Sequence, residues 1–287
     1  MSMMNYLFIV LSLIISLNSF GVRVKKIGDL DSKLDESSGI EYYKGKIITH
    51  NDSGGKAELY IIKQNGEIER TIKIKDAENE DWEDLTAAPD GRFFIGDIGN
   101  NLNERKECQI YILDDDFLDD KDNSVKSKTI EFEYKDQDDF PPKKSELYYD
   151  AEAMFWMGHN IYILSKCRTK PFTGRSYVYV LPDQPGDYKA RKIAEIPFCS
   201  TGWMWCSVTA ADYDQASNTI AVLLYGKLVL ISDFQGERFW EGNFETHNIH
   251  GIKQREAIAF IDSETWYMTD EWRRGLGGGN LYKVTKK

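Results

Sequence analysis

The stretch that decides the fold is DWEDLTAA at residues 81–88, followed by PDG at 89–91 and RFFIGDIGNN at 92–101. The first part predicts a short strand that carries acids. The middle part is typical of a tight turn, and the last part predicts an apolar strand that ends in a polar, glycine-containing loop. A buried strand rarely opens on carboxylates without a reason, because an unpaired buried charge costs several kcal/mol. The stretch therefore predicts a structural repeat unit and also a candidate site.

The same succession of a strand with an acid or hydroxyl, a turn and an apolar strand occurs elsewhere in the chain. Its five copies open at residues 38, 83, 152, 209 and 256. Internal repeats of this size are typical of solenoids and propellers, and no long amphipathic helix interrupts them. We predict an all-β fold, a five-bladed β-propeller that occupies residues 22–287 as a single domain.

The two ends of the chain predict how the ring closes. The fifth copy contains only three strands, whereas residues 22–27, VRVKKI, form a strand that lacks a partner nearby in the sequence. Pairing this N-terminal strand with the fifth copy would close the ring and remove an exposed sheet edge. The acidic insertions at residues 114–127 and 136–149 are predicted to be surface loops.

The first 21 residues resemble a secretion signal. They contain no Lys, Arg, Asp or Glu, and residues 6–17 are almost entirely apolar. This apolar run is too short to span a bilayer comfortably, and Ser19 and Gly21 are small residues suited to cleavage near Val22. We expect a signal peptide at residues 1–21, a secreted or periplasmic protein, and no stable membrane insertion after signal removal.

Charge and cysteine content narrow the partners and the compartment. The net charge of −11 disfavours nucleic acid and anionic lipid as general partners. Four cysteines fit an exported protein with up to two disulfides. Cys199 and Cys206 are close in sequence and are the expected pair, with buried free thiols as the alternative. No Cys or His spacing indicates a zinc site.

The opening residues of the five copies form the candidate metal site. In a propeller the first strand of each blade lines the central channel, so side chains from all blades converge there. The converging residues are Ser38, Glu83, Glu152, Thr209 and Glu256. Carboxylates this close repel one another, so either some are protonated or a cation lies among them. Hard oxygen donors in a roomy ring favour Ca²⁺. The alternative is that these acids cap backbone amides along the channel.

These opening residues resemble those of the calcium-dependent apyrases, the family first known from bed-bug saliva and shared with vertebrate nucleotidases. That resemblance implies a five-bladed propeller with one calcium on its axis, held by Ser, Glu, Glu, Ser and Glu from successive blades. Thr209 replaces the second Ser, although Ser207 could supply that ligand instead. The loops at residues 51–54, 82–84 and 96–101 also resemble a group of secreted bacterial proteins without a settled activity.

Two further motifs carry the resemblance and suggest roles. Residues 50–54, HNDSG, stand where the apyrases have Asp-Asp-Arg-Thr-Gly, so Asp52 matches and the Arg does not. Residues 165–168, SKCR, are similar to the family's basic Pro-Arg-Arg stretch. If a reaction is present, Asp52 or Asp97 could be its general base. The candidate phosphate-binding residues are Arg105, Lys166 and Arg168.

Each of these assignments has a structural alternative. Asp52 and Asp97 could form Asx turns, and the basic residues could be ordinary surface charges. Trp82, Trp272 and residues 203–205, WMW, could stack on a base or sugar ring, or they could pack between blades. The glycine-rich residues 275–279 are predicted to form a hairpin rather than a phosphate loop.

Three functions follow from this reasoning. The first is a secreted calcium-dependent phosphohydrolase that acts on nucleoside di- or triphosphates. The second is a five-bladed glycosidase in which Asp52, Asp97 and Glu152 are the catalytic acids. The third is a non-catalytic binding propeller in which calcium only stabilises the blades. In each enzymatic case the expected partner is a small phosphorylated or sugar ligand.

Overall fold

The computed structural model describes residues 21–119, 121, 123–251, 253–275 and 277–287. The predicted signal at residues 1–21 lies outside these residues, apart from Gly21. The described chain is nearly all β, as predicted. Its helices are limited to α1 (Trp203–Cys206) and the 3-10 turns Ser32–Leu34 and Phe239–Glu241.

The strands follow the order of the predicted copies. The chain opens with β1 (Val22–Asp29). The first group is β2 (Ser37–Tyr43), β3 (Lys46–Asn51), β4 (Glu58–Ile62) and β5 (Ile68–Lys75). The second group is β6 (Trp82–Ala87), β7 (Phe93–Asp97), β8 (Cys108–Leu113), the short β9 (Ser124–Lys126) and β10 (Lys128–Tyr134).

The second half of the chain repeats this arrangement. The third group is β11 (Asp150–Met157), β12 (Asn160–Lys166), β13 (Arg175–Pro182) and β14 (Gly186–Pro197). The fourth group is β15 (Val208–Asp214), β16 (Thr219–Leu224), β17 (Lys227–Ser232) and β18 (Asn243–Asn248). The fifth group is β19 (Arg255–Asp262), β20 (Thr265–Asp270) and β21 (Asn280–Lys286).

The first strands of the groups form a closed ring. Strand β2 contacts β6, β6 contacts β11, β11 contacts β15, β15 contacts β19, and β19 returns to β2. Strand β1 pairs antiparallel with β21, from Val22 opposite Lys286 to Asp29 opposite Asn280. The predicted all-β propeller-type fold is therefore confirmed, and so is its closure by the N-terminal strand.

The hydrophobic core is divided among the junctions between neighbouring groups. Five clusters of buried apolar side chains each combine residues from two adjacent groups, and the cluster between the fifth and first groups completes the circle. Because the inner strands are covered by neighbours, β11 is buried along its whole length. The outer strand β5, by contrast, alternates between buried and exposed residues.

Two features of the outer edges differ from the prediction. The insertion at residues 114–127 contains β9, which pairs parallel with β5 because Val125 packs into the core beside it. Strand β10 pairs parallel with β14, from Ile130 opposite Gly186 to Tyr134 opposite Ala190. This pairing joins the second and third groups into one eight-stranded sheet.

The cysteines and the helices complete the description. Cys199 and Cys206 form a disulfide, as expected from their spacing, whereas Cys108 and Cys167 are buried free thiols. No helix in the described part of the chain has the length and hydropathy that crossing a bilayer requires.

Candidate functional site

Each first strand contains a β-bulge at the residue that opens the corresponding copy. In β2 the pairing register shifts between Ser37 and Ile40. In each of the other four first strands it shifts across a single residue, the one that opens the copy. The bulges therefore contain Ser38, Glu83, Glu152, Thr209 and Glu256. A bulge leaves its extra residue out of the strand ladder and redirects its side chain, which is why bulges are common beside active sites. All five of these residues are buried.

Carboxylates from the bulges and from the adjoining loops and strand ends lie close together. Asp52, Asp81 and Glu83 have carboxylate oxygens within 4.8 Å of one another, and so do Glu83, Asp150 and Glu152. Glu83 belongs to both triads. Sequence reasoning missed Asp81 and Asp150, although each stands two residues before a predicted ligand. That spacing, repeated in two copies, is the signal that could have identified them.

The basic residues predicted to bind phosphate are paired with acids instead. Lys166 is buried, and its Nζ lies 2.5 Å from Glu152 Oε2. Arg168 donates from Nε to Asp150 Oδ2 at 2.5 Å, and its Nη2 lies 3.1 Å from Glu152 Oε1. The structure therefore places both residues beside the predicted metal ligands, where they neutralise Asp150 and Glu152.

Asp97 and Arg105 form a second pair, at the end of β7. Arg105 Nη1 lies 2.8 Å from Asp97 Oδ1, and Asp97 also accepts hydrogen bonds from the backbone amides of Glu80 and Asp81. The carboxylate of Asp97 thus fixes the backbone that carries Asp81. We assign it a positioning role, and its role as a general base stays a prediction.

Asp52, Asp81 and Glu83 lack such a counter-charge. None of the three forms a salt bridge with a described basic residue. Asp81 Oδ1 is buried without a hydrogen-bond partner in the described chain. Burial, and then the charges of Asp52 and Asp150, raise the pKa of Asp81 to about 7. Burial, and then the charge of Glu152, raise the pKa of Glu83 well above its ordinary value. We name these three acids the axial triad.

The remaining opening residues lie around this triad with different partners. Ser38 Oγ donates to Glu83 Oε2 at 3.2 Å. Thr209 Oγ1 donates to the carbonyl of Arg255 at 2.7 Å. Glu256 accepts from Gln254 at 2.9 Å, and its second oxygen is buried without a partner in the described chain. Ser207, the alternative ligand, follows α1 and donates to the carbonyl of Trp203, the first residue of that helix.

The axial triad fits a hard divalent cation. Its donors are all carboxylate oxygens, which are the ligands that Ca²⁺ and Mg²⁺ prefer. An unpartnered buried oxygen on Asp81 is available for coordination. The backbone at Gly99 approaches so closely that a Cβ there would lie 2.4 Å from Asp81 Oδ2 and from Glu83 Oε1. Only glycine leaves room for both carboxylates to converge.

Substitution of Gly99 tests this close approach. We expect Gly99→Ala to weaken divalent-cation binding at least tenfold, because the added methyl group forces Asp81 and Glu83 apart. Calorimetric titration with Ca²⁺ measures the effect. The control is Gly55→Ala, because a Cβ added at Gly55 has its nearest neighbour atom at 3.4 Å, an ordinary contact distance. Gly45 is unsuitable because its φ of +77° would strain any residue with a Cβ. Gly55→Ala should bind as the wild type does, and equal affinity in all three proteins would contradict the prediction.

Two other buried acids on the first strands, Asp84 and Asp212, accept hydrogen bonds from backbone amides of other first strands. Asp84 Oδ2 accepts from the backbone amides of Met154 and Ala211. Asp212 Oδ2 accepts from the amide of Phe260 at 2.7 Å. These carboxylates bond first strands to one another across the ring. The capping alternative therefore describes Asp84 and Asp212, and not the unpaired axial triad.

The candidate stacking residues fall into two classes. Trp82 is fully buried and packs edge-on against His50 with ring centroids 5.6 Å apart, so it is a core residue. Trp203 and Trp272 are exposed, so they stay candidates for stacking on a ligand. The glycine-rich segment forms a bridge between Arg273 and Gly277, in agreement with the predicted hairpin.

The raised pKa values predict a pH dependence of stability. Asp81 has a folded pKa of about 7, and burial followed by the charge of Glu256 raises the pKa of Glu271 to about 8. A raised carboxyl pKa gives stability that is complete below the ordinary pKa and lost as pH rises through the folded value. We expect the Tm of chelator-treated protein to fall between pH 6.5 and 8.5, and to fall less with Ca²⁺ present. The window lies above the titration of His50, whose pKa burial lowers to about 4.

Thermal melts with and without chelator measure this difference. Asp81→Asn should flatten the slope of the chelated protein, whereas substitution of the exposed Asp187 by Asn should leave it unchanged. Identical slopes in chelator and in Ca²⁺ would contradict the prediction.

Comparison with solved structures supports the fold. No protein-family model matches the chain, and no curated protein matches it by sequence. The PQQ-bound aldose sugar dehydrogenase of Streptomyces coelicolor matches with a TM-score of 0.50 and 11% identity over 93% of this chain and 98% of that one. These matches are propeller-type structures. The chain has a propeller fold.

Two further structures resemble this propeller. The gluconolactonase XC5397 of Xanthomonas campestris has a TM-score of 0.50 and 11% identity, covering 93% of the propeller chain and 90% of its own. The Malassezia sympodialis allergen Mala s 1 has a TM-score of 0.56 and 12% identity, covering 90% and 94%. At this identity the likeness concerns the fold alone. None of these three structures is an apyrase, so the resemblance to that family remains a hypothesis from sequence.

Proposed function

We propose that this propeller is a divalent-cation-dependent hydrolase of small, neutral, oxygen-rich compounds, with sugar lactones and related esters as the substrate class. The observation that carries the proposal is the axial triad, three converging carboxylates without a basic partner in the described chain. Such a set requires either protonation or a cation. We expect Ca²⁺ as the physiological ion, with Mg²⁺ as the competitor.

The residues of the site have different proposed roles. Asp52, Asp81 and Glu83 would hold the cation, which would polarise the carbonyl oxygen of the substrate. Asp81 Oδ1, which is buried with no partner in the described chain, would be one ligand of the cation. Asp52 is less buried, and its second carboxylate oxygen could accept a proton from an attacking water. Lys166 and Arg168 neutralise Glu152 and Asp150, so the other carboxylates do not add their full repulsion to the site.

The charge of the site favours a neutral substrate. Recognition of a phosphate ester needs free basic groups, yet the three predicted candidates are already paired with carboxylates. A neutral lactone or ester requires no such group. Two of the similar structures bear names that concern sugars, an aldose sugar dehydrogenase and a gluconolactonase. These names support the substrate class without defining it.

The two enzymatic alternatives are less well supported. A phosphohydrolase would have to release Arg168 or Lys166 from its carboxylate before either could bind phosphate. A glycosidase with Asp52, Asp97 and Glu152 would use two acids that are now paired with Arg105 and Lys166. Both reactions nevertheless belong in the test.

The test is a titration followed by a substrate screen on the full chain. Ca²⁺, Mg²⁺ and Mn²⁺ are titrated by calorimetry into chelator-treated protein. Sugar lactones, aryl esters, aryl glycosides and nucleotides are then assayed with the preferred cation and with chelator. We expect cation-dependent lactone or ester hydrolysis that Asp81→Asn reduces at least a hundredfold, while substitution of the exposed Asp187 by Asn has no effect.

Two results would overturn the proposal. Phosphate release from nucleotides, without turnover of lactones or esters, would favour the phosphohydrolase. A cation that raises the Tm without turnover of any compound in the screen would favour the binding propeller with structural metal.

A further inference from the structure

A cleft that the proposed reaction does not use is lined in part by Asn101, whose Nδ2 donates to Asp81 Oδ2 of the axial triad at 3.4 Å. Its volume is about 520 Å³, and its walls come from the loops that follow β7 and β12, from the loop before β11 and from the start of α1. The residues that matter to its character are Leu102, Leu147, Pro171, Phe172 and Trp203, together with Arg168. We call it the apolar cleft.

The cleft is uncovered in the described chain, and its lining is mostly apolar, with polar groups from Asn101, Arg168, Thr169 and Lys170. Leu102 exposes 69% of its surface and Trp203 exposes 42%. Exposure of these two large apolar side chains on facing loops costs hydrophobic free energy that ordinary packing would recover. In a protein with a net charge of −11 this concave apolar surface is a local exception.

The cleft is continuous with the axial site through two of its walls. Arg168 lines the cleft and also reaches Glu152, which shares a triad with Glu83. Trp203 packs edge-on against Tyr225, with ring centroids 5.5 Å apart. The hydroxyl of Tyr225 in turn accepts a hydrogen bond from Lys166 at 3.0 Å. A ligand in the cleft would therefore lie next to the carboxylates.

From this arrangement we infer that the substrate is amphiphilic, a lactone or ester whose polar end reaches the axial triad while an alkyl or aryl group fills the apolar cleft. The inference rests on the proposed function and adds to it that the substrate carries an apolar group. A sugar without an apolar substituent would leave Leu102 and Trp203 exposed to water, whereas an alkyl group would remove both from it.

A series of lactones that differ only in alkyl length tests the inference. γ-Butyrolactone, γ-hexalactone and γ-octalactone are compared on the full chain. Binding is followed in chelator by ligand-observed NMR, and KM is measured with the cation. We expect affinity to rise about two- to fourfold for each added methylene, the value for burial of a methylene group.

Variants of the cleft show whether the gradient arises there. Trp203→Ala and Leu102→Ser should each reduce the gradient, and Leu102 is so exposed that its replacement should not disturb folding. Phe244→Ala alters an exposed aromatic residue on β18 and serves as the matched control. The cation-dependent rise in Tm should be unchanged in all three variants.

The outcomes separate the two proposals. If wild-type protein binds γ-octalactone no more tightly than γ-butyrolactone, or if both cleft variants keep the full gradient, the apolar cleft is not the binding site. If the gradient appears in chelator while no compound is hydrolysed, the cleft stands and the proposed hydrolase fails. Hydrolysis with equal KM values along the series would support the hydrolase and overturn the cleft.

Discussion

Glu83→Gln should melt at a higher temperature than the wild type when both are free of divalent cations, and it should lose the rise in Tm that the cation gives. Glu83 is buried and belongs to both triads of carboxylates. In the cation-free protein the Glu83 carboxyl must either keep an unpaired buried charge or take up a proton, because its pKa is raised well above its ordinary value. The amide replacement keeps the shape and removes both costs, so the cation-free protein gains stability. The same change removes the ligand that the two triads share.

The rise in Tm that Glu83→Gln should lose follows from the mass-action effect of a bound ligand on stability. A ligand at about 100 times its Kd stabilises a protein by about 2.7 kcal/mol. At about 2–4 °C per kcal/mol for a domain of this size, the wild type should gain roughly 5–10 °C from the cation. Thermal melts with chelator and with Ca²⁺ measure both parts.

Glu131→Gln, at an exposed position on β10, is the matched control and should behave as the wild type. The prediction is wrong if Glu83→Gln keeps the full rise with Ca²⁺. It is also wrong if the variant melts below the wild type in chelator.

Lys166→Met should destabilise the propeller by about 3–5 kcal/mol, the typical cost of removing one partner from a buried ion pair. The Lys166 ammonium lies 2.5 Å from Glu152 Oε2 and 3.0 Å from the Tyr225 hydroxyl. Burial opposes its charge, but the carboxylates of Glu152 and Glu256 raise the pKa of Lys166 well above its ordinary value. The ammonium therefore stays charged, and its loss leaves Glu152 with Arg168 as its remaining basic partner.

Urea unfolding measures this loss, and a double variant shows its origin. Lys166→Met combined with Glu152→Gln should recover most of the stability, because the second change removes the carboxylate that the first leaves under-compensated. Lys189→Met, at an exposed lysine, should have little effect. A double variant no more stable than Lys166→Met alone would show that the loss comes from packing rather than from charge.

Much of the fold could be predicted from the sequence. Short β-rich segments separated by turns indicated an all-β propeller-type fold, and the spare strand at residues 22–27 indicated how the ring closes. Both features depend on local pattern and on the need to cover a sheet edge, which the sequence displays directly. The spacing of Cys199 and Cys206 likewise indicated their disulfide.

The candidate site was predictable only in part. The opening residues could be aligned by eye, but the bulges that turn them into the ring could not, because a bulge depends on the register of two paired strands. Asp81 and Asp150 were overlooked although their spacing before Glu83 and Glu152 is visible in the sequence, because each of the triads that contain them is a contact between different groups of strands. The sequence also did not show that three basic residues pair with carboxylates, because packing sets the direction in which each side chain points. These residues are Lys166, Arg168 and Arg105.

The sequence by itself determined the strand order, the closing strand and the presence of an oxygen-bearing residue at the start of every repeat. Only the tertiary structure decided which carboxylates are neutralised and which are not. That difference is electrostatic: the energy of a buried charge depends on neighbours within a few ångströms. Here the sequence separation is modest, 14 residues for Lys166 and Glu152 and 18 for Arg168 and Asp150, but only the folded chain shows which carboxylate each basic side chain reaches.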